Sequence, residues 1–386
     1  MSTVKRRGSS WQATVRGPDG RERTATFRTR VEGDGWAADQ VSAMNRGAWV
    51  DPQAGKVTFR EYAEQWKAIQ VHRSSTAAQV ESHLRRHVLP FIGDRPIAAI
   101  RTSELQAWAK GRAAVLQPAT VEVVYRYVVA IFLAAIQDKV IAASPAVGIR
   151  LPRIEPRRVE PLEVETVEAL IAAVPDRYRA LVVFAAGTGM RQGECFGLTV
   201  DRVNFLRRQV TVDRQLVLEP KTGPAFGPPK TAASYRTIPL PAVVLEALAA
   251  HLRNFPAGPD GFVFTNDAGG PIRRTRFSDV WRPAVAVAGA PVGTGFHALR
   301  HFYASLLIRH GESVKVVQSR LGHASAAETL DTYSHLWPDS EDRTRAAVDH
   351  VLRARTLAED ATRGEPPLAG ESVHVLNDSA IAYEIS

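Results

Sequence analysis

Residues 293–336, GTGFHALRHFYASLLIRHGESVKVVQSRLGHASAAETLDTYSHL, carry four chemically loaded positions, His297, Arg300, His323 and Tyr333, on segments with helical apolar spacing. His297, Arg300 and His301 fall at i, i+3 and i+4 and share one face of a predicted helix. Ala298, Phe302 and Leu306, at i, i+4 and i+8, form a stripe expected to face the core, leaving the polar face free to hold a ligand. Gly311 is placed to close this helix as its C′ residue and Ser313 to cap the next. There Val314, Val317 and Leu321 make an apolar face ending at Gly322. His323 therefore sits just past a helix end. Ser325 and Glu328 have the spacing of a capping box, which predicts a third short helix carrying Leu330 and Tyr333.

In this order, His297-x-x-Arg300, Leu321-Gly322-His323 and Tyr333 resemble the phage-integrase family of tyrosine recombinases. The resemblance extends upstream to Thr188-Gly189-Met190-Arg191-Gln192-Gly193-Glu194, which looks like the family's first catalytic arginine on a helix start. Between them, residues 229–240, PKTAASYRTIPL, are similar to the hairpin that delivers the family's catalytic lysine. The similarity covers roughly residues 162–353. Lys230 is preferred to Lys221, whose Lys221-Thr222-Gly223 also has a turn's composition, because Ser-x-Arg-x-Ile-Pro follows Lys230. The resemblance implies that Tyr333 forms a 3′-phosphotyrosyl link, Lys230 protonates the departing 5′ oxygen, His297 assists proton transfer and His323 hydrogen-bonds the phosphate. It implies no ATP or other cofactor, since the bond energy is kept in the covalent link, and no metal, since Arg191 and Arg300 would occupy the charge-neutralising role that metal ions fill in nucleases.

The residue types suit that chemistry in their own right. Cleaving a phosphodiester builds negative charge on two non-bridging oxygens, which planar guanidinium forks such as Arg191 and Arg300 can engage bidentately. A preorganised donor of this kind stabilises a transition state by ~3 kcal/mol. A tyrosine hydroxyl, pKa ~10, is a plausible nucleophile in such a field. Taken singly, each residue has a plainer reading as a surface charge, a core ring or a helix terminator; their joint order carries the argument. The i, i+4 pair His297 and His301 also has the histidine spacing of zinc-binding H-E-x-x-H, but Ala298 stands where the glutamate is required. His301, His310 and His335 are expected to be structural or DNA-facing.

Composition agrees. The 386 residues, 45% of them apolar, are enough for two or three domains, and the net charge of +9 favours an anionic partner, nucleic acid before membrane. Only eight of the 49 cations are lysine. The lone Cys195 excludes an internal disulfide and a cysteine-rich zinc site, which fits a reducing cytoplasm. MSTVKRRGSS is not followed by the apolar run of a secretory signal, and Arg126 interrupts the most apolar stretch, 121–136.

The fold class expected is mainly α with small β-sheets (α+β), in three modules and a tail. Residues 1–50 are a basic module. Trp11, Ala13 and Val15 alternate, Gly17-Pro18-Asp19-Gly20 turns, and Arg21, Arg23, Ala25 and Phe27 alternate on the return, which predicts a hairpin. This resembles the arm-binding domain at the front of many phage integrases. A helix is expected next, although Gly33-Asp34-Gly35 interrupts its start. Residues 51–55 read as a linker. In 56–148 the Thr58/Glu61 capping box and helical patterns over 76–88, 102–114 and 119–138 predict a four-helix bundle, similar to the core-binding (SAM-like) domain of the family. Arg73, Arg85, Arg86, Arg101, Lys110 and Arg112 are its candidate phosphate contacts. The Pro- and Arg-rich 151–161 reads as a stiff linker into the catalytic domain, 162–353. That domain should contain helices over 164–174 and 177–186, a small sheet flanked by 203–212 and Ile238 with Lys230 in or near its turn, and a last amphipathic helix over 340–353. Residues 357–386 carry a net charge of −5 without periodicity and read as a disordered acidic tail.

The function expected is site-specific integration of phage or mobile-element DNA in a bacterial cytoplasm. The partners are double-stranded DNA at core and arm sites, the other protomers of a homotetramer, and an accessory DNA-bending or directionality protein; no membrane is involved. The competing uses of the same chemistry are resolvase-like or topoisomerase-like. A non-catalytic DNA-binding protein would require loss of one of the six positions Arg191, Lys230, His297, Arg300, His323 and Tyr333.

Overall fold

The computed structural model describes residues 2–155, 158–219, 223–258, 260–337, 345, 346, 348–350 and 352. It is mainly helical with small antiparallel sheets. At the front, β1 (Ser2–Arg7), β2 (Ser10–Arg16) and β3 (Glu22–Phe27) form a sheet in that order, with Trp11 opposite Phe27 and Ala13 opposite Ala25. Ala13 and Val15 are its buried positions, as the alternation predicts. β1 is an additional strand, with Val4 opposite Ala13.

Helix α1 (Arg30–Asn45) runs straight through Gly33-Asp34-Gly35, so the expected interruption does not occur. A capping box of Thr29 and Glu32 starts it. Gly33 has a packing role: a Cβ there would lie 3.1 Å from Val4 Cγ1 and 3.7 Å from Ala13 Cβ, so the bare backbone lets α1 lie on the sheet. Nor is the following segment a plain linker, because Arg23 donates to Asp51 at 2.8 and 2.5 Å and to Asp19 at 2.8 Å.

A second core is built by α2 (Phe59–Ile69), α3 (Ser74–His83), α4 (Leu89–Ile92), α5 (Thr102–Ala113) and α6 (Pro118–Gln137). The Thr58/Glu61 box caps α2, which buries Phe59, Tyr62 and Trp66. The helix expected over 76–88 instead passes from α3 into a π-helical turn, Leu84–Val88. Pro90, in the first turn of α4, starts a separate fifth helix, because proline is tolerated there and not in a helix interior. By length and composition α6 could cross a membrane, yet Val121, Val124, Val128, Ile131, Phe132 and Ala135 are buried in this bundle.

The largest core gathers α7 (Val164–Ala173), α8 (Asp176–Thr188), α9 (Gln192–Phe196), a sheet, α10 (Ala242–Asn254), α11 (Arg274–Val287) and α12 (Ala298–Arg309). Phe277 sits at its centre, with ring centroids 5.2 to 6.0 Å from those of Tyr178, Phe196, Trp281 and Phe296. The expected small sheet is two. β4 (Val203–Asn204), β5 (Gln209–Val212) and β8 (Arg236–Pro239) form one, with Val210 opposite Ile238, both fully buried. β6 (Gln215–Glu219) and β7 (Gly223–Gly227) form a separate hairpin. Lys230 lies beyond β7 on the connection to β8, not in the hairpin turn; Lys221 lies outside the described residues.

The chain then returns through α13 (Val314–Leu321) and α14 (Ala326–Tyr333). Gly311 and Gly322 take left-handed φ of +81° and +68°, and Ser313 and Ser325 cap as expected. Glu328 closes only half the predicted box, since its carboxylate accepts from the Ala324 N–H instead of from Ser325. The predicted stripe on α12 is also wrong in part: Leu299, Arg300, Phe302, Tyr303, Ala304, Ser305 and Ile308 are buried, whereas Ala298 and Leu306 are only half-buried. The cause is that α12 packs against α8 on one side and α13 on the other. Of the helix expected over 340–353, residues 345, 346, 348–350 and 352 are described and helical; the tail 357–386 lies outside the described residues.

Candidate active site

The site forms where the start of α9, the loop before β8, the start of α12, the end of α13 and the end of α14 converge. Its keystone is Glu194, 1% exposed. The Glu194 carboxylate accepts from Arg191 Nη1 at 3.1 Å, from the Arg191 backbone N–H at 2.9 Å, and from Arg236 Nη1 and Nη2 at 3.2 and 2.8 Å. Burial alone raises its pKa, but the hydrogen bonds and charge of Arg236, aided by Arg191, more than offset this and hold it below the ordinary carboxylate value. Arg236 also donates through Nε to the Arg320 carbonyl at 2.8 Å, tying β8 to the end of α13.

Arg191 continues the network to the Ser234 hydroxyl at 3.1 Å and the Gly322 carbonyl at 3.2 Å. Gly322 is the left-handed cap of α13, and a Cβ there would stand 2.9 Å from the Ala233 carbonyl and 3.1 Å from the Arg236 side chain. Only glycine brings this turn so close. His323 follows it, 6% exposed, with Nδ1 2.8 Å from the Thr329 hydroxyl. That bond fixes the ring and leaves Nε2 on the opposite edge, 3.9 Å from Glu328 Oε1. Arg300, 2% exposed, donates to the Gly189 carbonyl at 2.8 Å. Burial and the nearby Arg191 and Arg236 charges lower its pKa to about 9, so it stays cationic at neutral pH.

Tyr333 is 1% exposed and stacks on His323, centroids 6.3 Å apart. Burial, partly countered by Arg300, raises its hydroxyl pKa to about 12. Its Oη lies 2.8 Å from His301 Nδ1. His297, at the exposed start of α12, sets its ring 4.9 Å from that of His301. Surrounding protein, then the His301 and Arg300 charges, pushes its pKa down to about 4; burial and Arg300 do the same to His323.

Five of the six residues singled out in the sequence, Arg191, His297, Arg300, His323 and Tyr333, thus converge. Lys230 is exposed, one residue before Thr231, whose hydroxyl meets the Ser234 that Arg191 holds. The polar face of α12 is not free, since Arg300 is buried and His301 engages Tyr333. Reading the sequence missed Glu194, Ser234, Arg236 and Thr329 as parts of the site. Glu194 had a signal, its capping-box spacing from Arg191. Chemically, three guanidiniums around one carboxylate leave an excess of two positive charges in a buried setting, which suits a phosphodiester gaining charge.

Residues 160–339 match the phage integrase family, and residues 59–151 match the phage integrase central domain, together well over half the chain. The chain belongs to the phage integrase family of tyrosine recombinases. It is a tyrosine-type site-specific recombinase. Among its relatives, a prophage phiRv2 integrase of Mycobacterium tuberculosis is 28% identical over 350 residues, 88% of this chain and 92% of the relative. In fold it is similar to the Tn1549 transposon integrase solved with a circular intermediate DNA, with a TM-score of 0.65 at 24% identity over 76% of this chain and 99% of that one. A lambda integrase tetramer bound to a Holliday junction matches with a TM-score of 0.55 at 19% identity, over 84% of this chain and 96% of that one.

Removing the keystone leaves two guanidiniums facing each other. Glu194→Ala should cost about 3–5 kcal/mol, as for other buried pairs broken on one side, measured by denaturant unfolding of the recombinase. A loss below about 1 kcal/mol, the range of surface pairs, would show that the network is dispensable to the fold.

Proposed function

We propose that the recombinase integrates phage or mobile-element DNA, with Tyr333 as nucleophile, Arg191 and Arg300 on the non-bridging oxygens, His323 on the phosphate, His297 aiding proton transfer and Lys230 as the acid for the 5′ oxygen. The observation that carries this reading is the convergence of Arg191, Arg300, His323 and Tyr333 from four separate segments, with Arg191 held by buried Glu194 and by the carbonyl of Gly322 beside His323, Tyr333 stacked on His323, and the Arg300 charge acting on both Arg191 and Tyr333. The phiRv2 relative is named for a prophage, which favours integration over resolution. The lambda tetramer on a Holliday junction supports a homotetramer on two duplexes. We assign residues 1–50 to arm DNA, 56–148 to the core site and 162–353 to catalysis, working in a bacterial cytoplasm with an accessory DNA-bending or directionality protein.

A nicked duplex captured covalently by the wild-type chain from a random-sequence library supplies the substrate; capture of no DNA would already sink the reading. On that duplex Tyr333→Phe should form no adduct while binding nearly as tightly, because one hydroxyl is lost. A Tyr333→Phe chain that still forms the adduct on a denaturing gel would overturn the assignment.

Lys230 is tested by its leaving group. A positioned acid contributes ~10²- to 10⁴-fold to expulsion of an alkoxide, whereas a thiolate leaves without a proton. Lys230→Ala should therefore be slow on normal DNA and near wild type on DNA with a 5′-bridging phosphorothiolate, and Arg191→Ala and Arg300→Ala should not be rescued. If Lys221→Ala is the rescued variant, the lysine is misassigned.

The N-terminal module has a separate readout. Deleting residues 1–50 should lower the slope of log affinity against log salt, since phosphate contacts set that slope, and leave core cleavage intact. An unchanged slope would remove this module from DNA reading.

A further inference from the structure

Tyr333 is buried, and an attacking phenol must shed its proton somewhere. Lys230 is exposed on the loop before β8. His323 lies parallel to the tyrosine ring, 10° between planes and 6.3 Å between centroids, so its nitrogens are not aimed at the hydroxyl. The ring of His297 packs edge-on against His301. The Tyr333 hydroxyl instead meets His301 Nδ1 at 2.8 Å, with the two rings in an edge arrangement and centroids 5.7 Å apart. α12 holds the imidazole where it is: the next residues, Phe302 and Tyr303, are locked in the two cores on either side.

We propose that His301 is a catalytic residue, the general base that takes the Tyr333 proton during cleavage and returns it during rejoining, with His297, packed edge-on beside it, aiding that transfer. This rests on the reading that Tyr333 is the nucleophile. The geometry is that of a nucleophile within hydrogen-bond reach of its base. Burial, with the neighbouring Arg300 charge, lowers the His301 pKa, which favours the neutral ring, and the tautomer that carries its hydrogen on Nε2 offers a lone pair at Nδ1. As the Tyr333 Oη–P bond forms, the Oη–H proton passes to Nδ1. The P–O5′ bond then breaks and its electron pair stays on the 5′ oxygen, which receives a proton from Lys230. One proton has entered on His301 and one has left Lys230, so the balance is even. Rejoining reverses each transfer, with the imidazolium reprotonating the phenolate.

The test measures adduct formation in single turnover on the captured nicked duplex. His301→Ala should be ~10²- to 10⁴-fold slower than wild type, the usual worth of a general base, with DNA affinity unchanged. His301→Asn, which keeps a polar atom near the Nδ1 position but cannot take the proton, should be comparably slow and should fold as wild type does. Two readouts separate proton transfer from mere positioning. Added imidazole should accelerate His301→Ala and leave wild type unaffected. Replacing Tyr333 with a ring-fluorinated, more acidic tyrosine should shrink the His301→Ala defect. An alanine variant within a factor of about 3 of wild type, far short of a base's contribution, would overturn the proposal. So would a faster variant, which would mark the hydrogen bond as a restraint, or a slow one rescued by neither imidazole nor fluorination. If Tyr333→Phe still forms the adduct, the underlying reading fails; if only Tyr333→Phe is inactive and His301→Ala is fast, this inference alone fails.

Discussion

One buried carboxylate holds the site together. Glu194 lies between Arg191 and Arg236, and through them it binds α9 to β8, to the Ser234 loop and to the end of α13. Arginines of like charge repel, and the Glu194 anion among Arg191, Arg236 and Arg300 offsets that repulsion. A single anion is also the useful number. It offsets enough repulsion to let the domain fold, yet leaves the net positive charge that a phosphodiester must meet. A second carboxylate would satisfy the arginines and remove their reason to bind a phosphate.

Backbone geometry carries the same constraint. Arg300 and Arg191 each donate to the carbonyl of a left-handed glycine, Gly189 and Gly322, the residues that end α8 and α13. The guanidiniums thereby satisfy carbonyls that a helix end leaves without partners, and in return the helix ends fix the guanidiniums. Arg191 and Arg300 are thus positioned by the fold's own terminations, and a substitution at either glycine would move an arginine as well as a turn.

Much of this was legible because local rules and global packing agree. The Thr58, Ser313 and Ser325 caps, the Gly311 and Gly322 stops and the hairpin around Gly17-Pro18-Asp19-Gly20 are short-range chemistry, read from neighbouring residues. Order along the chain singled out Arg191, His297, Arg300, His323 and Tyr333, which the fold brings together. What escaped depends on partners distant in sequence. Arg236 on a strand reads as a solvent-facing cation until α9 and α13 are placed around it. Gly33 reads as a helix breaker until the sheet beneath it is known, and then its missing side chain is the reason the helix fits. Arg300 was assigned to an open polar face because helical spacing reports which residues share a face, not how many neighbours the helix has. The split of one expected sheet into two has the same origin: β8 pairs with β5, on the far side of the intervening β6–β7 hairpin.

On the reading that Tyr333 is the nucleophile, the electrostatics of the resting site explain how it can be stored safely. Burial, aided by the Arg300 charge, depresses the histidine pKa values, and burial raises that of Tyr333, so the phenol is protonated and its neighbours are weak bases. A phosphate seated on Arg191 and Arg300 opposes that charge. An anion near imidazoles favours their protonated form, which makes each a stronger acceptor at the moment a proton must move. The phenol is subject to a competing pair of effects, since the phosphate's charge disfavours phenolate while covalent bonding to phosphorus removes the charge as it forms. Proton transfer concerted with Oη–P bond formation avoids a free phenolate altogether. On the reading proposed above, the buried pocket therefore also gates the reaction, its burial and the Arg300 charge holding the bases weak until a phosphate's own charge offsets them.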